Sequence, residues 1–229
     1  MTPQVQQLYK ELYDKAKLLP NSDALGIMPT HFVGLRSHFT TGMPMFIGRE
    51  TNGLGGGKLS KVQEDYDYDE LNWLKEKNGY YYNGSPFWRV VGHVLERIRK
   101  ESFGDDIYHD FYWSDLYKIN FREKKGTTKK LRDCQINDCA QLLLAEMDDL
   151  DPCVSVFLTG INEDRSSRKG VGRFFERWEP RGQLKSKNES TGEFTLVGES
   201  GKTHRCIVVP HPQGKGEEEI IRKICSLWK

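Results

Sequence analysis

The chain has no stretch of eighteen apolar residues, no basic-then-apolar amino terminus, no internal repeat and no large excess of either charge. The first two absences argue against a membrane span and a secretory signal, so a cytoplasmic protein is expected. The five cysteines, Cys134, Cys139, Cys153, Cys206 and Cys225, are odd in number and include no Cys-x-x-Cys pair. That argues against a disulfide framework or a zinc site and for free thiols in a reducing compartment. Lys and Arg number 34 against 33 Asp and Glu, for a net charge of +1. Such a balance leaves a nucleic-acid partner open, because local clustering matters there. A P-loop is absent as well. Gly57-Lys58-Leu59 lacks the hydroxyl residue, and Asn52 stands where the first glycine belongs. Gly201-Lys202-Thr203 has Leu196 at that place and precedes a strand instead of following one.

What is present is a chain of 229 residues, 37% hydrophobic and 29% charged, with a mean hydropathy of −0.67. That length is most economically one domain, 1–229, with 1–42 forming an amino-terminal helix and loop packed on it. Val5 to Leu18 carries a helical apolar period. Residues 21–42 show little periodicity and read as a loop. Met43 to Gly48 reads as a short buried strand that stops at its glycine, and Asn52 to Tyr82 as a long connection with a short helix over Leu71 to Lys77. Ser85-Pro86 starts a helix, with serine as cap and proline at its first position. Ile107 to Asn120 reads as a strand, Asp133 to Leu150 as a helix and Cys153 to Gly160 as a buried strand. Gly172 to Trp178 reads as a short helix, and Phe194–Val197 with Arg205–Val209 as a hairpin, though a plain loop is the alternative. Glu217 to Trp228 closes as a helix. Strands alternating with helices imply an α/β fold, a mostly parallel sheet with helices on both faces. The carboxyl ends of such strands meet along one rim, and ligands bind there.

Polar residues stand at each of those ends: Arg49, Glu50 and Asn52; Asp115 and Asn120; Thr159 and Asn162; His211 and Gln213. Each has a bland reading. Glu50 taken alone is better explained by a salt bridge to Arg49 or Lys58, and Phe87 and Trp88 by core packing; for His211 a hydrogen-bonded loop is the alternative, but its place between two prolines just past a buried strand favours function. Charge is segregated: Arg122 to Arg132 contains Lys124, Lys125, Lys129 and Lys130, and Arg165, Arg168 and Lys169 form a second basic run. Solvated surface is the ordinary fate of such runs.

Taken together, four segments resemble the uracil-DNA glycosylase superfamily over residues 43 to 214. Phe46-Ile47-Gly48-Arg49-Glu50-Thr51-Asn52 is similar to the family's first motif, which carries the water-activating residue. Gly84-Ser85-Pro86-Phe87-Trp88 is similar to the segment whose phenylalanine stacks on the extruded base. Trp113-Ser114-Asp115-Leu116-Tyr117-Lys118 resembles the strand whose asparagine reads the base edge, and His211-Pro212-Gln213 the histidine-proline-serine motif. The resemblance implies a three-layer α/β/α sandwich around a four-stranded parallel sheet. It also implies a monofunctional DNA N-glycosylase, monomeric, needing no cofactor or metal, with DNA as its partner in duplex or single-stranded form. In that scheme Glu50 holds the attacking water, His211 donates to the departing base, and Asn52 flanks the pocket. Phe87, Asp115, Gly48 and Arg49 bind the base. Lys124, Lys125, Lys129, Lys130, Arg165, Arg168, Lys169, Gln213 and Lys215 grip DNA.

Three departures sharpen the expectation. Asp115 stands where the family has asparagine, and a carboxyl group complements the amino-bearing edge of cytosine better than uracil; a pairing of Asp115 with Lys118 is the alternative. Asn52 replaces the tyrosine that excludes 5-substituted pyrimidines. Gly214-Lys215-Gly216 lacks an apolar wedge. The expected substrate is therefore a modified cytosine, such as the glucosylated hydroxymethylcytosine of phage DNA, excised in an anti-phage role. The alternatives are a uracil or mismatch repair glycosylase, a non-catalytic DNA-binding member of the fold, or a hydrolase of nucleosides or small glycosides.

Overall fold

The computed structural model describes residues 2–27, 31–33, 42–50, 57–58, 85–100, 111–121, 127–161, 170–178 and 191–229. Strands are β1 (Leu25–Ile27), β2 (His31–Val33), β3 (Met45–Glu50), β4 (Gly57–Lys58), β5 (Phe111–Tyr117), β6 (Ile119–Phe121), β7 (Ser155–Leu158), β8 (Gly192–Val197) and β9 (Thr203–Val209). Helices are α1 (Pro3–Lys17), α2 (Pro86–Arg99), α3 (Lys129–Leu150), α4 (Gly172–Trp178) and α5 (Glu217–Leu227). The expected short helix over Leu71 to Lys77 lies outside the described residues.

Four strands, in the order β5-β3-β7-β9, run parallel, and antiparallel β2 and β8 flank them to complete a six-stranded sheet. The parallel strands are apolar on both faces because both are covered. Met45, Ile47, Tyr112, Phe157 and Val208 pack with buried residues of α1, α3 and α4. Their neighbours Phe46, Phe111, Trp113, Val156, Leu158, Ile207 and Val209 pack with α2 and α5 on the other side. After β3 the next described helix, α2, covers one face. After β7 the chain goes to α4 on the other. The crevice between the carboxyl ends of β3 and β7 is thus the topological switch point, where open α/β sheets bind ligands.

Several boundaries differ from those read in the sequence. Residues 21–42 are not all loop: they contain a 3₁₀ turn and strands β1 and β2. Three-residue strands are too short for periodicity to register. Strand β3 does not stop at Gly48 but pairs on to Glu50, opposite Tyr117. Helix α3 starts at Lys129, four residues before the expected Asp133, because Thr128 caps it by accepting from Leu131 N at 3.2 Å. Ser85 stands at the cap of α2, but its side chain makes no cap hydrogen bond; Pro86 at the first position carries the start signal. The hairpin of β8 and β9 forms as expected. A second, antiparallel sheet, β4-β1-β6, packs Leu25, Ile27 and Ile119 onto the core.

Candidate functional site

Gly48 of β3 and Asp115 of β5 are register partners on adjacent parallel strands. A β-carbon added at Gly48 would stand 2.3 Å from Asp115 Oδ1 and 3.6 Å from Phe87 Cε2. The glycine therefore leaves the space that the carboxylate occupies, and the ring borders the same spot. Asp115 is only 5% exposed. Phe87, in the first turn of α2, meets Trp88 edge-on at 5.0 Å between centroids and leans on Trp113 at 6.4 Å. Trp88 and Trp113 are buried, whereas Phe87 is half-buried. Buried aromatics thus fix the ring while part of it stays open. Three residues expected to bind a base are brought together by two strands and a helix start.

Arg49 points along the rim. Its Nε donates to the carbonyl of Thr159, just past β7, at 2.8 Å. Gly160 follows with φ +70°, and a β-carbon there would lie 3.7 Å from Arg49 Nη2 and 3.9 Å from His211 N. Arg49 thus ties β3 to the end of β7, and its guanidinium borders the same space beside Gly160 as the His211 backbone. His211, between Pro210 and Pro212, is half-buried, and its Nδ1 accepts from the backbone N–H of Gln213 at 3.2 Å. With Nδ1 occupied as acceptor, neutral imidazole carries its proton on Nε2. The exposed turn behind it closes through Lys215 N to Pro212 O at 3.1 Å, with Gly214 at φ +71°. Gln213 thus acts here through its backbone.

Lys118, the alternative partner of Asp115, has buried partners of its own. Its ammonium lies on the α1 and α3 side of the sheet, bonded to Ser114 Oγ and 2.8 Å from Glu146 Oε2, with both side chains fully buried. Tyr9 of α1 donates to the other oxygen of Glu146. Asp115 lies on the opposite face, against Gly48 and Phe87. Sequence reasoning missed Glu146 and Tyr9; the available signal was a glutamate within the apolar stripe of α3. Gln135 of α3 clamps Ile119, accepting from its N–H and donating to its carbonyl, each at 2.8 Å. Burial pushes the Cys139 thiol up to about 12, so it is no nucleophile at neutral pH. All five cysteines are free.

Lys129 and Lys130 occupy the exposed first turn of α3, and Gln213 and Lys215 are exposed beyond β9. Asn52, Lys124, Lys125, Arg165, Arg168 and Lys169 lie outside the described residues. Glu50 ends β3 beside Arg49. Among the described residues no three His, Cys, Asp or Glu side chains gather as metal ligands, and no helix is long and apolar enough to cross a membrane. No family model matches the sequence. No curated protein matches it either.

Proposed function

We propose that this chain is a DNA glycosylase with a uracil-DNA glycosylase-like fold, excising a flipped-out modified cytosine by hydrolysis of its N-glycosidic bond. The observation that carries the reading is the convergence of Gly48, Asp115 and Phe87 at the carboxyl ends of two parallel strands. A planar base needs a stacking face and an edge reader at right angles to each other, and the Phe87 ring and the Asp115 carboxyl are of those kinds. Stacking on such a ring contributes about 1–3 kcal/mol per base. The parallel order β5-β3-β7-β9 with helices on both faces supports the fold assignment.

Cytosine presents an amino donor at the position where uracil presents a carbonyl. A carboxyl group accepts from that amine in either protonation state, and a protonated one also donates to the ring nitrogen. Breaking the bond leaves positive charge on the sugar and negative charge on the base. In the proposed mechanism Glu50 holds the attacking water and faces the cationic sugar, while His211 donates from Nε2 to the base oxygen. Asn52 is a smaller side chain than the blocking tyrosine it replaces, which suits a 5-substituent such as a glucosylated hydroxymethyl group. On that reading the protein acts against phage DNA.

Lysines in the first turn of α3 support DNA binding. Cations at a helix amino terminus oppose its dipole by about 0.3–1 kcal/mol, a conflict relieved when a phosphate docks there. The test is an excision panel of duplexes and single strands carrying uracil, thymine mismatches, cytosine and 5-substituted cytosines, read as abasic sites. Release of a substituted cytosine is expected. Glu50→Gln is expected to abolish turnover but keep binding, and Asp115→Asn to shift release toward uracil. Release of uracil without any cytosine overturns the substrate assignment and leaves a repair enzyme. Binding without excision of any base leaves a DNA-binding protein of this fold.

A further inference from the structure

We propose that Arg49 is a positioning residue, a buckle across the switch-point crevice that sets the His211 segment relative to the strand carrying Glu50. The inference rests on the glycosylase reading for its kinetic consequences but not for its structural one. Arg49 immediately precedes Glu50 on β3, so whatever fixes its side chain also fixes the end of that strand. Its Nε–H donates to Thr159 O at 2.8 Å, which ties β3 to β7 beyond the last ladder pair between them, Ile47 with Phe157.

The next residue, Gly160, is a junction. Its N–H donates to Val209 O at 2.7 Å, and its carbonyl accepts from Val171 N at 3.0 Å. Val209 leads directly through Pro210 to His211. The guanidinium and the His211 backbone border the same small space beside Gly160: a β-carbon there would lie 3.7 Å from Arg49 Nη2, 3.8 Å from Pro210 Cα and 3.9 Å from His211 N. Gly160 itself has φ +70°, a conformation that L side chains rarely adopt, so its backbone turn is built for this junction. Arginine suits the task because its planar fork is rigid and directional, which the point charge of lysine is not. The strand end that carries Glu50 and the segment that carries His211 are the two parts this buckle relates. An error in their spacing affects the transition state more than binding, since Phe87 and Asp115 are held by β5 and α2.

Arg49→Met and Arg49→Lys, alone and combined with His211→Ala, test this in the full-length protein. Loss of one charge-assisted hydrogen bond corresponds to about a 10- to 100-fold fall in kcat, expected for Arg49→Met with KM little changed. Arg49→Lys should recover part of it. In the His211→Ala background Arg49→Met should cost little more, because its effect runs through that residue. A raised KM with kcat intact marks a phosphate or base contact instead and overturns the proposal, as do fully additive losses. A second readout needs no catalysis. In protein labelled with ¹⁵N-histidine, Arg49→Met should shift the His211 signals, assigned from His211→Ala, and leave those of His204, at the opposite end of β9, in place. Unmoved His211 signals overturn the buckle whether or not any base is excised, whereas a wild-type protein inactive on every substrate counts against the glycosylase reading alone.

Discussion

Replacing Gly48 by alanine probes the centre of the site. The added β-carbon would stand 2.3 Å from Asp115 Oδ1, 3.5 Å from Asp115 Cγ and 3.6 Å from Phe87 Cε2. Even a weak C–H···O contact needs about 3.3–3.6 Å, so the ring can stay and the carboxylate oxygen must move by roughly 1 Å. Gly48 lies within regular parallel pairing, so the cost is crowding at a nearly buried side chain. Turning a side chain about 30° off its rotamer costs about 0.5–1.5 kcal/mol, and overpacking a core costs about 1–3 kcal/mol. We expect about 1–2 kcal/mol, a melting temperature lower by roughly 2–8 °C for a chain of this size. Activity should suffer more, because a misplacement of about 1 Å in a positioning group costs about 100-fold in rate. The assay is single-turnover release of a substituted cytosine, beside a thermal melt and a urea titration. Asp115→Ala supplies the internal check. With the carboxylate gone, Gly48→Ala should cost almost no stability, a strongly non-additive cycle. An unchanged excision rate in Gly48→Ala, or additive stabilities in the cycle, refutes the close approach as the organising feature of the site.

Three other outcomes follow from the geometry. Lys118→Met or Glu146→Leu alone strands a buried charge and should cost about 3–5 kcal/mol in urea unfolding, while the double substitution should cost much less; equal losses in single and double variants would contradict a paired charge. Burial works to raise the Asp148 carboxyl, but hydrogen bonds from His204 at 2.6 Å and Ser200 N at 3.1 Å outweigh it and hold it below its usual range. Its folded-state value lies below its unfolded one. The stability it supplies is therefore full above the ordinary aspartate range near 3.9 and lost as pH falls through the folded value. Asp148→Asn should thus be clearly destabilised at pH 6 and much closer to wild type at strongly acid pH, as read by urea titration; a gap that does not narrow argues against the stabilised carboxylate. Lys129→Glu with Lys130→Glu should weaken DNA binding for all sequences alike and flatten the salt dependence by about 0.9 per lost phosphate contact; an unaltered salt slope removes α3 from the interface.

The local grammar of the chain specified much of this molecule. Pro86 and the stripe of Val90, Val91, Val94 and Leu95 fix α2, and all four are fully buried. The run Val154 to Leu158, apolar but for Ser155, reads as a strand covered on both faces, and each face of β7 meets helices. Periodicity is a property of neighbours in sequence, so it survives without the fold. It did not reveal that the first turn of α3 takes in Lys129 and Lys130, because a Thr cap depends on a single hydrogen bond and not on a repeat.

The residues given chemical roles in the proposed reaction were likewise legible one by one: Glu50 ends a strand, Asp115 lies toward the end of another, His211 follows a third and Phe87 opens a helix. Their mutual geometry was not. Whether Asp115 faces Lys118 or Gly48 depends on which face of β5 each occupies, and residues 114 and 118 turned out to share the α1 and α3 face with Glu146. Arg49 looked like a pocket residue in sequence, and only the order β5-β3-β7-β9 brought the Thr159 carbonyl within 2.8 Å of its Nε. Sequence determined which side chains are apolar, which turn the chain and which hold protons, since those are properties of single residues and short windows. The tertiary structure decided which strands became neighbours, and so which glycine had to leave room for which carboxylate, because contacts between distant segments are set by the packing of the whole sheet.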